Sequence, residues 1–181
     1  MMKGKNIVVG ICGGIAAYKV ADLVSKLKQA GALVDVVMTK NACEFVTPLT
    51  FQALSGRPVH TNMFELIKEN DWKIDHIALA ERAGLMVIAP ATANVIGKLA
   101  SGIADDLLTT TALAVKCPVV IVPAMNKNMW SNALVRDNVK KLKVFGYKFI
   151  GPATGNLACG ETGEGRMEEP LKILEVLKKM A

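Results

Sequence analysis

Uninterrupted apolar runs alternate with stretches of helical periodicity along this chain. Apolar runs that predict buried strands lie at residues 6–12, 33–38, 85–89 (ended by Pro90), 118–122 and 147–150. Apolar positions that recur every three or four residues predict helices at 15–30 (closed by Gly31), 41–55 (interrupted by Pro48), 75–83, 92–100, 105–115, within 128–144, and 170–180. Residues 56–73 follow neither pattern.

The alternation of these elements predicts the fold class. Strands that are apolar throughout are buried on both faces, and strands joined by helices run parallel. We therefore expect one α/β domain over residues 1–181, a doubly wound, Rossmann-like parallel sheet with helices on both faces. A ligand site in such a sheet is expected at the carboxyl ends of the strands.

One long segment, residues 151–168, interrupts the alternation. It holds five of the chain's 15 glycines, several charged residues and almost no apolar ones. A loop of this length inside a compact domain is usually a functional lid or a disordered excursion. Cys159 and Arg166 weaken the second interpretation, because a plain surface loop has no need of either.

Length, composition and charge narrow the classes of protein. The 181 residues suffice for one domain with a core, and no apolar run approaches the roughly 20 residues of a membrane span. With only 5% aromatic residues and no basic-aromatic interleaving, the net charge of +6 favours a small anionic ligand over nucleic acid.

The cysteines and the N-terminus suggest a cytoplasmic protein. The four cysteines include no C-x-x-C pair, and both histidines are distant from them in sequence, which argues against a zinc site. The absence of a signal-peptide layout makes export unexpected, and reduced thiols are then expected.

Three strand ends carry candidate ligand-binding groups. Gly13 and Gly14 stand between a strand and a helix, where backbone N–H groups suit a phosphate, although a tight turn also explains them. Thr92 and Asn94 in the run APATAN suit a flat ring system, but taken alone either is more often a helix cap. Asn126, in the octet PAMNKNMW, is able to bind a carboxylate or carbonyl.

His76 follows a predicted helix cap at Asp75. A lone histidine is more often a surface or core residue than a catalyst. Imidazole titrates near neutral pH, so it is a permissible proton acceptor.

Four segments together resemble the phosphopantothenoylcysteine decarboxylases, within the homo-oligomeric flavin-containing cysteine decarboxylase family. They are GGIAAYK, APATAN, PAMNKNMW and ACGETGEGRM, with a histidine in DHIALAERA between the first two, and the likeness runs from about residue 5 to 169. It implies an FMN-dependent carboxy-lyase of coenzyme A biosynthesis that converts 4′-phosphopantothenoylcysteine to 4′-phosphopantetheine. Trimers or multiples of trimers are implied. A phosphopantothenate-cysteine ligase, which is fused to this domain in many bacteria, is a possible separate partner, and the sequence leaves both arrangements open.

The resemblance also implies roles for individual residues. His76 would be the catalytic base and Cys159 the proton donor on a clamping loop. The substrate would be bound by Asn126, Met129 and Arg166. The FMN-binding set would be Gly13, Gly14, Ile15, Thr39, Thr92, Ala93, Asn94, Val95 and Met125.

The implied chemistry explains why a flavin is needed. Direct loss of CO₂ would leave a carbanion without delocalisation. Oxidation of the thiol to a thioaldehyde lets sulfur accept those electrons, and the resulting enethiolate is then reduced, so the cycle is redox-neutral.

Three alternatives share the fold or the mechanism. A peptidyl-cysteine decarboxylase would act on a peptide C-terminus, and the loop ACGETGEGRM favours the smaller substrate. A flavin prenyltransferase would lack the PAMNKNMW octet and the cysteine loop. A non-catalytic regulatory flavoprotein would tolerate loss of His76 or Cys159 and usually carries long acidic extensions.

Overall fold

A computed structural model describes residues 2–64, 75–156, 158 and 160–180. The strands are β1 (Asn6–Ile11), β2 (Leu33–Met38), β3 (Val59–His60), β4 (Leu85–Ala91), β5 (Val119–Pro123), β6 (Lys148–Phe149), β7 (Ala153–Asn156) and β8 (Thr162–Arg166). The helices are α1 (Ala17–Gln29), α2 (Lys40–Cys43), α3 (Pro48–Ser55), α4 (Asp75–Arg82), α5 (Ala93–Ser101), α6 (Leu107–Ala114), α7 (Lys127–Ser131), α8 (Ala133–Val144) and α9 (Pro170–Met180).

Six strands form one parallel sheet in the order β3-β2-β1-β4-β5-β6. One face of the sheet is covered by α1, α3 and α9, and the other by α4, α5, α6 and α8. Each face of the sheet forms its own apolar cluster with the helices that cover it. The predicted doubly wound α/β domain is therefore confirmed. Because the chain reverses its winding between β1 and β4, their carboxyl ends diverge into a crevice.

Two predicted helices are each divided in two. The prediction at 41–55 corresponds to α2 and α3, and Pro48 is the first residue of α3, where a missing N–H costs nothing. The prediction within 128–144 corresponds to α7 and α8. Asn132 separates them, since its side chain accepts a hydrogen bond from the Leu134 N–H and caps α8.

Two other predictions, the end of one strand and the single loop at 151–168, are wrong. Pro90 does not end its strand: β4 continues to Ala91 because the ladder to β5 shifts register between Ile88 and Ala91, which leaves Pro90 outside the pairing. The segment 151–168 is not one irregular loop, since β7 and β8 pair antiparallel within it. Glycine and polar residues dominate both strands, so neither carries the apolar pattern that predicts a strand.

A buried carboxylate connects α4 to the sheet. Asp35 lies within β2 and is 1% exposed. Its oxygens accept hydrogen bonds from Arg57 Nε at 2.9 Å and from Arg82 Nε and Nη2 at 2.9 and 3.2 Å. A buried charge is tolerated only with such partners, so the last turn of α4 is held against the sheet.

Cys12, Cys43 and Cys117 are free thiols. In the part of the chain that the structure describes, no helix combines the length and apolarity needed to cross a membrane.

Candidate functional site

A cavity of about 670 Å³ lies where the carboxyl ends of β1, β4 and β5 meet. This volume is within the usual range for cofactor and small-molecule sites. The lining residues are Gly13, Gly14, Ile15, Ala16, Tyr18, Lys19, Thr92, Ala93, Ala124, Met125, Asn126, Met129, Asn156, Ala158, Gly165, Arg166 and Met167.

The turn between β1 and α1 forms one wall. A Cβ on Gly13 would overlap Asn41, so only glycine allows this close approach, whereas a Cβ on Gly14 would meet only Thr92 Cγ2, at 3.9 Å. The N–H groups of residues 13–16 donate to no backbone group in the described segments. Together with the N-terminus of α1, they form a cradle suited to an anion.

Thr39 stands beside this turn but not in the cavity lining. Its N–H donates to the Ile11 carbonyl at 3.0 Å, and its hydroxyl accepts from the Ala42 N–H at 3.2 Å. Thr39 therefore caps α2 at the edge of the cradle.

The second wall is the start of α5. The hydroxyl of Thr92 accepts from the Val95 N–H at 3.3 Å, and Ala93 adds only a methyl group to the surface. Asn94 is exposed outside the lining, and Val95 is buried in the core. Of the four residues expected to contact a ring here, the structure brings Thr92 and Ala93 into the cavity.

The third wall follows β5. The Ala124 N–H donates to the Ala91 carbonyl at 3.0 Å, which places Met125 and Asn126 beside the start of α5. The side-chain oxygen of Asn126 accepts from the Asn128 N–H at 2.8 Å and caps α7, so its amide is held in one orientation. Met129 lines the cavity and is 48% exposed.

Trp130 belongs to the core rather than to the cavity. It is 5% exposed and packs in the cluster that α5 and α8 share. The Arg136 guanidinium lies 4.7 Å from the centre of its ring.

The β7–β8 hairpin closes the fourth side. The Gly165 carbonyl accepts a hydrogen bond from the Met125 N–H at 2.9 Å. Gly165 has φ +149°, and a Cβ there would overlap the Met125 carbonyl oxygen. Glycine thus lets the hairpin approach the loop after β5, and Arg166 comes to line the cavity. Cys159 lies outside the described residues.

His76 lies in the first turn of α4 and not in the cavity lining. The residue is half-buried. Its Nδ1 is enclosed and has no hydrogen-bond partner among the described residues. A buried nitrogen without a partner is costly and is one feature expected of a group whose partner arrives with a ligand or a neighbouring chain.

Cys12 lies beside the cradle, at the end of β1, and is fully buried. Burial raises the pKa of its thiol to about 12, against the smaller opposing effect of a hydrogen bond from the Thr92 backbone. The thiol therefore stays protonated and does not act as a nucleophile.

Sequence reasoning missed several lining residues, above all Tyr18, Lys19 and Gly165. The first two follow the glycine turn by one helical turn, which was an available signal. The position of Gly165 depends on the docking of the hairpin, which no local pattern shows.

Comparison with known proteins places this chain in a family. The chain matches the Flavoprotein family over residues 1–181. It is 52% identical to the coenzyme A biosynthesis bifunctional protein CoaBC of Bacillus subtilis (strain 168), over 99% of this chain and 44% of the relative. It is 43% identical to the protein of that name from Escherichia coli (strain K12), over 97% of this chain and 43% of the relative. The chain thus spans less than half the length of these relatives.

Solved structures show the same fold. A PPC decarboxylase mutant complexed with pantothenoylaminoethenethiol superposes with a TM-score of 0.87 at 30% identity, covering 98% of each chain. The FMN-dependent cysteine decarboxylase SpaF superposes with a TM-score of 0.83 at 32% identity, covering 99% of each chain.

Proposed function

Because this chain belongs to the Flavoprotein family, we propose that it is an FMN-dependent decarboxylase. Its substrate is 4′-phosphopantothenoylcysteine and its product 4′-phosphopantetheine, a step of coenzyme A biosynthesis. The observation that carries this proposal is a single cavity in which the glycine cradle, the start of α5, Asn126 and the hairpin meet. The names of the relatives, a coenzyme A biosynthesis protein and a PPC decarboxylase, support the choice of substrate.

The residues of the cavity fit FMN. The N–H groups at Gly13 and Gly14, which donate to no backbone group among the described residues, and the N-terminus of α1 suit its phosphate. Thr92, Ala93 and Met125 offer the small and apolar surface that a flat ring requires. When bound, FMN supplies reversible transfer of a hydride, which the side chains of this protein are unable to provide.

The chain's own groups bind the substrate and move its protons. Asn126 holds the carboxylate through an amide, which orients it without the strong charge stabilisation that would oppose loss of CO₂. Met129 covers the cavity and excludes water. His76 accepts the proton of the thiol, and Cys159 donates a proton to the enethiolate.

The position of His76 supports a shared site. Within one chain the described residues leave His76 outside the cavity lining, while Ile15 and Tyr18 on the cavity rim are 56% and 59% exposed. We therefore include in the proposal a homo-oligomer, a trimer or a multiple of trimers, in which α4 of one subunit reaches the cavity of another. Supply of the substrate requires a phosphopantothenate-cysteine ligase, and the cytoplasmic location stays a prediction.

The test is decarboxylation by the reconstituted protein. Protein loaded with FMN is expected to be yellow and to release CO₂ from 4′-phosphopantothenoylcysteine. His76→Asn should leave the flavin spectrum unchanged on addition of substrate, and Cys159→Ser should accumulate the oxidised enethiol product. Mixing these two variants should restore activity if subunits share the site. A protein that cannot be loaded with FMN, or is inactive when loaded, contradicts the proposal.

A peptidyl-cysteine substrate is the second candidate, because SpaF, an FMN-dependent cysteine decarboxylase, covers this chain as fully as the PPC decarboxylase does. Peptides that end in cysteine, assayed beside 4′-phosphopantothenoylcysteine, separate the two. Preference for the peptide would reassign the substrate while leaving the reaction class unchanged.

A further inference from the structure

Two cationic side chains share one part of the cavity wall. Lys19 extends from α1 and Arg166 from the end of β8. Among the described lining residues they are the charged ones, and no carboxylate lines the cavity. This end of the cavity is therefore positive, in contrast to the uncharged walls formed by Thr92, Ala93 and Met125.

A single carboxylate joins the two cations. Glu169 Oε1 accepts a hydrogen bond from Lys19 Nζ at 3.1 Å and another from Arg166 Nη2. Since both bonds end on the same oxygen atom, the ammonium and guanidinium groups lie next to each other. The pair has eight N–H donors in total. These two bonds use two of them, and one positive charge remains uncompensated within this group.

The arrangement differs from the glycine cradle. The cradle consists of backbone N–H groups before the first residue of α1, whereas Lys19, in the first turn of that helix, is joined through Glu169 to Arg166 on the hairpin side. The cavity thus offers two kinds of anion-binding group, backbone N–H groups and cationic side chains. An enzyme that binds two phosphorylated molecules, as the proposed function requires, needs groups for each phosphate.

We propose that Lys19 and Arg166 together bind the phosphate group of the substrate and make the site selective for the phosphorylated compound. This inference rests on the proposed function. A phosphate dianion replaces Glu169 between the two cations, because it carries more charge and offers more acceptor atoms than one half-exposed carboxylate. Glu169 keeps the two side chains paired until substrate arrives.

The experiment compares two substrates in four proteins. For wild type, Lys19→Gln, Arg166→Gln and Lys26→Gln, kcat/KM is measured with 4′-phosphopantothenoylcysteine and with pantothenoylcysteine, each with FMN bound. The ratio of the two values isolates the phosphate contact, since any general damage to the hairpin affects both substrates. Lys26→Gln is the matched control because it removes the same charge from α1 but pairs with Asp22.

The ratio is expected to fall about 10- to 100-fold in Lys19→Gln and Arg166→Gln, the range for loss of a hydrogen bond to a charged group. Lys26→Gln should keep the wild-type ratio. The Kd of FMN, measured by flavin fluorescence, should stay the same in all four proteins, which distinguishes the substrate phosphate from the cofactor phosphate.

Two outcomes overturn the proposal separately from the function. One is an unchanged ratio in both cavity variants of a protein that decarboxylates the substrate. The other is a weakened Kd for FMN with no change in the ratio, which would assign the cations to the cofactor. A wild-type protein that releases CO₂ from neither compound would instead overturn the proposed function, and this inference with it.

Discussion

Replacing Gly165 with alanine tests whether the docked position of the β7–β8 hairpin controls activity. Gly165 is buried, its φ is +149°, and the added Cβ would overlap the Met125 carbonyl oxygen. The neighbouring atoms on that side are backbone atoms, including the Lys127 nitrogen at 3.4 Å, so no flexible side chain can move aside. The hairpin must therefore shift away from the loop after β5.

Two effects set the size of the change. A non-glycine residue in this backbone conformation costs about 1–3 kcal/mol. Loss of the hydrogen bond from the Met125 N–H to the Gly165 carbonyl removes about 0.5–1.5 kcal/mol more. Together they disfavour the docked hairpin by about 1.5–4.5 kcal/mol. If docking is required for turnover, kcat/KM should fall about 10- to 2,000-fold, at tenfold per 1.36 kcal/mol.

Two measurements check this prediction. Decarboxylation rates give the loss of activity, and hydrogen exchange of amides in residues 162–166 should become faster in Gly165→Ala. The control is Gly146→Ala, which has φ +90° but no atom within 4 Å of the added Cβ, and which should keep wild-type activity. Wild-type rates and wild-type exchange in Gly165→Ala would refute the reasoning.

Two further predictions concern titratable groups. Burial raises the pKa of the Cys12 thiol to about 12, so about one thiol in ten thousand is ionised at pH 8 in the native protein. Cys12 should therefore resist iodoacetamide in the native protein and react only after denaturation. Mass spectrometry of the modified peptide checks this. Burial alone would raise the pKa of Glu168, but the hydrogen bond from Lys172 and the Glu169 N–H outweigh burial and lower it. The ionised Glu168 therefore stabilises the fold above its unfolded pKa, and this contribution is lost as the pH falls through the folded pKa. Lys172→Gln should accordingly lose about 1 kcal/mol or less at pH 7, since Lys172 is exposed, and the loss should shrink at acid pH as Glu168 becomes protonated, as measured by urea unfolding.

The central sheet could be predicted from the sequence because strands that are buried on both faces are apolar at nearly every position. The runs that became β2 and β5 are apolar almost throughout, and their predicted bounds differ from the structure by at most one residue. Asp35 is the exception within β2. Its partners Arg57 and Arg82 are 22 and 47 residues further along the chain, so no local sequence pattern predicts these contacts.

The strands of the β7–β8 hairpin could not be predicted from hydrophobic patterning, for a different reason. Its strands are held by pairing with each other and by a few contacts to the loop after β5, not by an apolar face. The candidate site was predictable where ligand groups follow strand ends, as with Gly13, Thr92 and Asn126. The pairing of Lys19 with Arg166 was not predictable, because it depends on Glu169, which is 150 positions from Lys19.

The two parts of the site differ in how firmly they are held. The cradle follows β1 and the start of α5 follows β4, and nearly all side chains of these two strands are buried. Among the described residues, the hairpin is joined to the rest by the Met125–Gly165 hydrogen bond, by the ion pair Lys127–Glu161 and, through Arg166, by the Glu169 carboxylate that Lys19 also contacts. Both glutamates are about half exposed, at 47% and 53%, so each ion pair contributes about 1 kcal/mol or less. Separation of the hairpin from the loop therefore costs far less than unfolding of the sheet, because few buried contacts are broken. Substrate can thus enter on the hairpin side while the groups that fit FMN keep their positions, and a substrate phosphate that displaces Glu169 would itself help to draw Arg166 and the hairpin closed.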